Sequence, residues 1–150
     1  METTKQIQIY FLCSQNRCRS QMAEAFVKLY GDERVIVNSA GLDPSPLHPY
    51  TIEVMKEIGI DISANKSKKI DMKIFMDAKI IVKLCLDIVE RCPVVPFLGR
   101  HEEQWNIEDP LSGNPISIDA VRKVRDEIRE KILLLLQKYQ VLADGAHKLG

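Results

Sequence analysis

The chain carries no surplus of either charge. Lysine plus arginine number 21 and aspartate plus glutamate 21 in 150 residues, so no overall basic field draws it to nucleic acid or an anionic membrane; any attraction for anions is local. Long apolar runs are lacking too. Ile132 to Leu136, near the C-terminus, falls far short of the about 20 residues that cross a bilayer, and no signal-peptide pattern stands at the N-terminus. The expectation is a soluble, cytoplasmic protein. Cysteine is sparse: four residues in a reducing compartment do not make a disulfide framework. Zinc is disfavoured by spacing, since four residues separate Cys13 from Cys18 and six separate Cys85 from Cys92, unlike the short pairs of zinc ribbons. No internal repeat, linker or low-complexity block divides the chain. It reads as one domain over residues 1–150, with a sizeable core and a frayed tail at 143–150.

What is present is an alternation of strand and helix signals. A strand over Gln6 to Leu12 leads into a polar loop and a helix from Ser20 to Tyr30, stopped by Gly31. Arg34 to Ser39 reads as a second strand ending at Ala40-Gly41, and after a proline-rich loop a helix spans Pro49 to Ile58. Lys79 to Leu84 is a near-continuous apolar run, the mark of a strand buried on both faces, and Val94 to Phe97 is the candidate fourth strand. Ile118, Val121, Val124, Ile128, Ile132, Leu135 and Tyr139 form one stripe of a last helix, Ile118 to Tyr139. This order predicts an α/β fold of three layers, a four-stranded parallel sheet with helices on both faces. Functional loops then lie at the carboxyl ends of the strands.

The richest segment is Cys13 to Ser20, CSQNRCRS. It sets a thiol at a strand end and a guanidinium, Arg19, where a helix begins. The intervening residues Ser14, Gln15, Asn16, Arg17 and Cys18 can turn their backbone N–H groups inward around an oxyanion, and the helix N-terminus adds its dipole. The same field favours the thiolate of Cys13. Arg19 offers a bidentate clamp for two oxygens, and Ser20 can donate a hydrogen bond to the sulfur.

Topology turns Cys13 and Cys85 toward one crevice, since each follows a strand. Cys85 and Cys92 bracket CLDIVERC, just before Pro93. In a helix they would stand two turns, roughly 10 Å, apart, whereas a disulfide needs Cα atoms within about 7 Å. Joining them requires the segment to unwind. With Cys13 present, the three thiols read as a chain able to hand a disulfide along. Asp109, in the loop WNIEDP, is the candidate acid for a departing oxygen, with Glu108 its neighbouring rival.

CSQNRCRSQMAEAF, NSAG at Asn38 to Gly41, the Cys85 and Cys92 pair followed by Pro93, WNIEDP and VRDEI in the last helix together resemble the thioredoxin-coupled arsenate reductases, which share the fold of the low-molecular-weight protein tyrosine phosphatases. The resemblance spans roughly residues 6 to 138. It implies that Cys13 attacks arsenate held by the loop and Arg19 while Asp109 protonates the leaving oxygen. Cys85 then attacks Cys13, and Cys92 attacks Cys85, leaving a Cys85–Cys92 disulfide for thioredoxin. It implies no tightly bound cofactor, and a potassium ion held beside the loop by Asn16, Glu24, Ser39 and Asp71. Cys18 matches a family cysteine with no necessary role. The implied partners are arsenate or a phosphate-like oxyanion and thioredoxin, acting on a monomer, without nucleic acid or membrane. One departure stands out: both families usually have glycine two residues after the nucleophile, where this chain has Gln15, which predicts a less demanding turn or local strain. The alternatives are a tyrosine phosphatase using Cys13, Arg19 and Asp109, and a non-catalytic redox or oxyanion-binding module.

Overall fold

The computed structural model describes residues 6–85 and 100–144. In chain order they form β1 (Ile7–Cys13), α1 (Arg19–Tyr30), β2 (Val35–Gly41), α2 (Pro49–Glu57), α3 (Met72–Asp77), β3 (Ile80–Lys83), β4 (His101–Gln104) and α4 (Ile118–Lys138). The four strands make one sheet in the order β2-β1-β3-β4, every pair parallel. Strand β1 is central and is covered on both faces. Ile9 and Phe11 join the core beneath α1 and α4, with Met22, Phe26, Ile128 and Ile132. Tyr10 and Leu12 face a smaller cluster with Ala40, Phe75, Ala78 and Ile81. Burial on both sides explains why β3 reads as an apolar run rather than an alternating one.

Local signals set the helix ends. Gly31 closes α1, its N–H bonded to Val27 O at 2.8 Å. Pro49 opens α2 behind His48, whose ring accepts from Tyr50 N at 3.1 Å. Ser117 caps α4 by accepting from Ala120 N. Along α4, Val121, Val124, Ile128, Ile132 and Leu135 are buried, as the stripe predicts, while Ile118 and Tyr139 are half-buried at its ends.

Two elements differ from the sequence reading. The strand beside β3 is His101–Gln104, an edge strand of polar, mostly exposed residues with no apolar signature; Val94 to Phe97 lie outside the described residues. Helix α3 is six residues long and buries only Phe75, too short for a periodic pattern. Its N-cap, Asp71, accepts from the N–H groups of Lys73 and Ile74.

After β1 the chain moves to β2 on one side and later returns to β3 on the other. The strand order therefore reverses beside β1, and a crevice opens at the carboxyl ends of β1 and β3. Cys13 ends β1 there.

Candidate active site

The loop after Cys13 is shaped by what binds its carbonyls. Cys13 O accepts from Leu42 N (3.2 Å), Ser14 O from Asp43 N (2.8 Å), Gln15 O from Ser45 N (3.0 Å) and Arg17 O from His48 N (3.5 Å). Asn16 O accepts from the Ser67 hydroxyl at 2.8 Å. A peptide unit is planar, with C=O and N–H pointing opposite ways. Five carbonyls held outward thus turn the N–H groups of residues 14 to 18 inward, into a cavity of about 270 Å³ lined by Cys13 to Arg19, Asp43 and Asp109. This is an anion nest at the start of α1. Asp43 lies two residues past NSAG, where no sequence pattern marks it.

Cys13 sits at the nest with its sulfur 2.8 Å from Ser20 Oγ and accepts from Asn16 N at 3.2 Å. Asn16 Nδ2 donates to Ser20 Oγ at 2.7 Å, which leaves the Ser20 proton free to point at the sulfur. The left-handed backbone of the loop falls on Asn16, φ 50°, and not on Gln15, so the missing glycine brings no strain of that kind. Asparagine tolerates this region, and its side chain is fully used. Nδ2 also reaches Ser39 Oγ, while Oδ1 accepts from Gln21 Nε2 (3.0 Å) and Lys68 N (2.8 Å). Gly41 of NSAG faces the loop so closely that a Cβ there would lie 2.7 Å from Asn16 N and 2.8 Å from Gln15 C.

Arg19 is buried, and its Nη1 donates to Ile107 O at 2.8 Å, which ties the loop to the WNIEDP segment. That segment places Asp109 on the cavity, with Oδ1 accepting from Leu111 N at 3.0 Å. Glu108 is exposed and does not line this cavity, so of the two neighbouring carboxylates Asp109 is the one at the nest. Across the mouth, Arg17 Nη2 stands 3.8 Å from Asp109 Oδ2.

Cys13, Cys18 and Cys85 are free thiols. Cys85 follows β3, half-buried, with its sulfur 3.4 Å from Ser14 Oγ, which brings the second thiol to the residue beside the nucleophile. Cys92 lies outside the described residues. Burial pushes the Cys18 thiol up to about 12, against smaller opposing pulls from Thr51 and Arg19. It therefore stays protonated at neutral pH and does not compete as a nucleophile.

The four residues expected to hold potassium do not close around an ion. Asn16, Ser39 and Glu24 are adjacent, but Asn16 turns its amide nitrogen to Ser39, and Ser39 donates to Glu24 Oε1 at 2.5 Å. Lys68 Nζ lies 3.0 Å from Glu24 Oε1 and Lys28 Nζ 2.8 Å from Oε2, so ammonium groups already meet both carboxylate oxygens. Their charges and hydrogen bonds hold the Glu24 carboxyl below its ordinary value despite its burial, which pulls the other way and is the largest single influence. Asp71 spends its carboxylate on the N-cap of α3. As placed, this set does not fit a monovalent cation.

Residues 8–144 match the family described as low molecular weight phosphotyrosine protein phosphatase. An arsenate reductase of Staphylococcus saprophyticus is 43% identical over 124 residues, 83% of this chain and 92% of that protein. A solved arsenate reductase in a phosphate-binding state superposes with a TM-score of 0.71 at 34% identity, covering 88% of this chain and 98% of the other. A thioredoxin-dependent arsenate reductase of Corynebacterium glutamicum superposes with a TM-score of 0.75 at 28% identity; the match covers 93% of this chain, which spans 64% of that longer one.

Proposed function

The chain belongs to the low molecular weight phosphotyrosine protein phosphatase family and groups there with the arsenate reductases, and from that premise we infer that it reduces arsenate to arsenite through its own thiols. The observation that carries this reading is Cys85, whose sulfur stands 3.4 Å from Ser14 Oγ at the nest. Hydrolysis of a cysteinyl phosphate by water needs no second thiol, whereas a two-electron reduction does.

The Cys13 thiolate attacks arsenic and forms an S–As bond, while an oxygen leaves with a proton from Asp109. Cys85, as thiolate, then attacks the Cys13 sulfur. The S–As bond breaks with its electron pair passing to arsenic, arsenite departs, and a Cys13–Cys85 disulfide remains. Cys92 attacks the Cys85 sulfur, returning Cys13 as thiolate and leaving Cys85–Cys92. A dithiol donor of the thioredoxin class reduces that disulfide and is itself oxidised. The compartment this demands is a reducing one such as the cytoplasm, and among the described residues no helix is long and apolar enough to cross a membrane. The relay lies within a single chain, so a monomer suffices.

The test supplies arsenate with thioredoxin, thioredoxin reductase and NADPH. Wild type turns over many times; Cys92→Ser stops after about one arsenite per enzyme, the limit of one disulfide per chain. Normal turnover by Cys92→Ser overturns the relay. Strong hydrolysis of phosphate esters, untouched by Cys85→Ser, would favour the phosphatase.

A further inference from the structure

Arg17 lies in the anion loop, yet no step above uses it. Its guanidinium reaches across the cavity mouth to Asp109, Nη2 to Oδ2 3.8 Å, with the two side chains 28% and 34% exposed. The direction of attack gives this contact its meaning. A thiolate enters opposite the departing group, so the leaving oxygen lies on the side of the acid that protonates it. Arsenate presents only a hydroxyl there. A phosphate ester presents an oxygen with a carbon group attached, and that group must run outward past Asp109, through the space where Arg17 meets the carboxylate.

The cavity agrees. Its volume of about 270 Å³ lies just under the range of about 300–1,000 Å³ usual for small-molecule sites. None of its described lining residues is aromatic, and two are arginines. Nothing in that lining stacks on a phenyl ring, while a dianion meets Arg17 as well as Arg19.

We propose that Arg17 is a specificity-determining residue: its pairing with Asp109 spans the exit an ester group would take and reserves the nest for small inorganic oxyanions. The proposal rests on the arsenate reading for its substrate and on the ion pair for its mechanism. A partly exposed pair is weak, a factor of about five at most, so it biases entry rather than sealing the site.

The experiment compares wild type, Arg17→Gln and Arg17→Ser on two substrates, arsenate with the thioredoxin system and p-nitrophenyl phosphate by phenol release. Gln keeps most of the bulk and removes the charge; Ser removes both. In both variants the ratio of kcat/KM for the ester to kcat/KM for arsenate is expected to rise roughly tenfold, combining an opened exit with lost attraction for the dianion. The arsenate loss should fall mainly in KM. A ratio within twofold of wild type in both variants overturns the proposal. A rise with Ser but not with Gln assigns the effect to bulk and overturns the ion-pair mechanism. If wild type hydrolyses the ester but reduces no arsenate, the arsenate reading falls and Arg17 is still judged: competitive inhibition by inorganic phosphate replaces arsenate turnover in the same ratio, with the same two outcomes.

Discussion

Ser20 has one proton to give, and its neighbours decide where it goes. Asn16 Nδ2 already donates to Ser20 Oγ at 2.7 Å, so the hydroxyl proton turns to the Cys13 sulfur 2.8 Å away. A hydrogen bond to a charged acceptor contributes about 1.5–3 kcal/mol. Ser20→Ala should therefore lower kcat/KM for arsenate by roughly ten- to a hundredfold and slow alkylation of Cys13 by iodoacetamide, with Ser20→Thr recovering part of both. Unchanged alkylation in Ser20→Ala would show that the hydroxyl does not serve the thiolate. At this scale much was legible. The Cys13, Arg19 and Asp109 trio converges on one cavity as the spacing and the loop suggested. Gln15 stands where glycine is usual, a position that predicts backbone strain. The left-handed angle belongs to Asn16 instead, because the side chain best able to hold that turn through hydrogen bonds is one residue further on.

Strand β2 and the anion loop are a single construction. Gly41 pairs with Cys13 in the parallel register, and a Cβ on it would press on the loop backbone, 2.9 Å from Ser14 O at the widest of its three contacts. Backbone cannot rotate away as a side chain can. Overpacking of this kind costs about 1–3 kcal/mol of stability, and here the strain falls on the anion loop, where a small misplacement weakens positioning, so Gly41→Ala should lower kcat/KM for arsenate by roughly tenfold or more while far-ultraviolet circular dichroism stays the same. Gly59 is the control: its φ of +84° favours glycine, but nothing lies within 4 Å of its missing Cβ, so Gly59→Ala should cost stability and leave arsenate kinetics alone. Equal kinetic losses at the two positions would mean that Gly41 acts through stability. The sequence marked NSAG as a motif without giving the reason, since the contact joins residues distant in the chain. Helix α3 and strand β4 escaped for simpler causes: α3 is a turn and a half long, and the residues of β4 are charged or polar on an exposed edge.

Across the whole molecule, the alternation of strands and helices carried the fold, because β3 sits between two apolar layers and shows it in its composition. Stability, by contrast, is tied to a group that sequence could not rank. Burial lifts Cys18 from an ordinary 9.0 to about 12. The folded form keeps its proton while the unfolded chain loses it first, so this contribution is complete below about pH 9 and is lost as pH rises toward 12. In urea titrations above pH 9, the unfolding free energy of wild type should fall more steeply with pH than that of Cys18→Ala, by about 1 kcal/mol per pH unit. Parallel slopes would refute the assignment. The outward carbonyls of the anion loop carry a consequence for the cell. Five donors outside the loop hold it open, so its shape is set before any ligand arrives. Such a rigid mould takes phosphate and arsenate alike, both being tetrahedral oxyanions. Discrimination then passes from fit to redox chemistry, since arsenic accepts the electron pair that phosphorus refuses. Phosphate abundance would thus act as a throttle on detoxification.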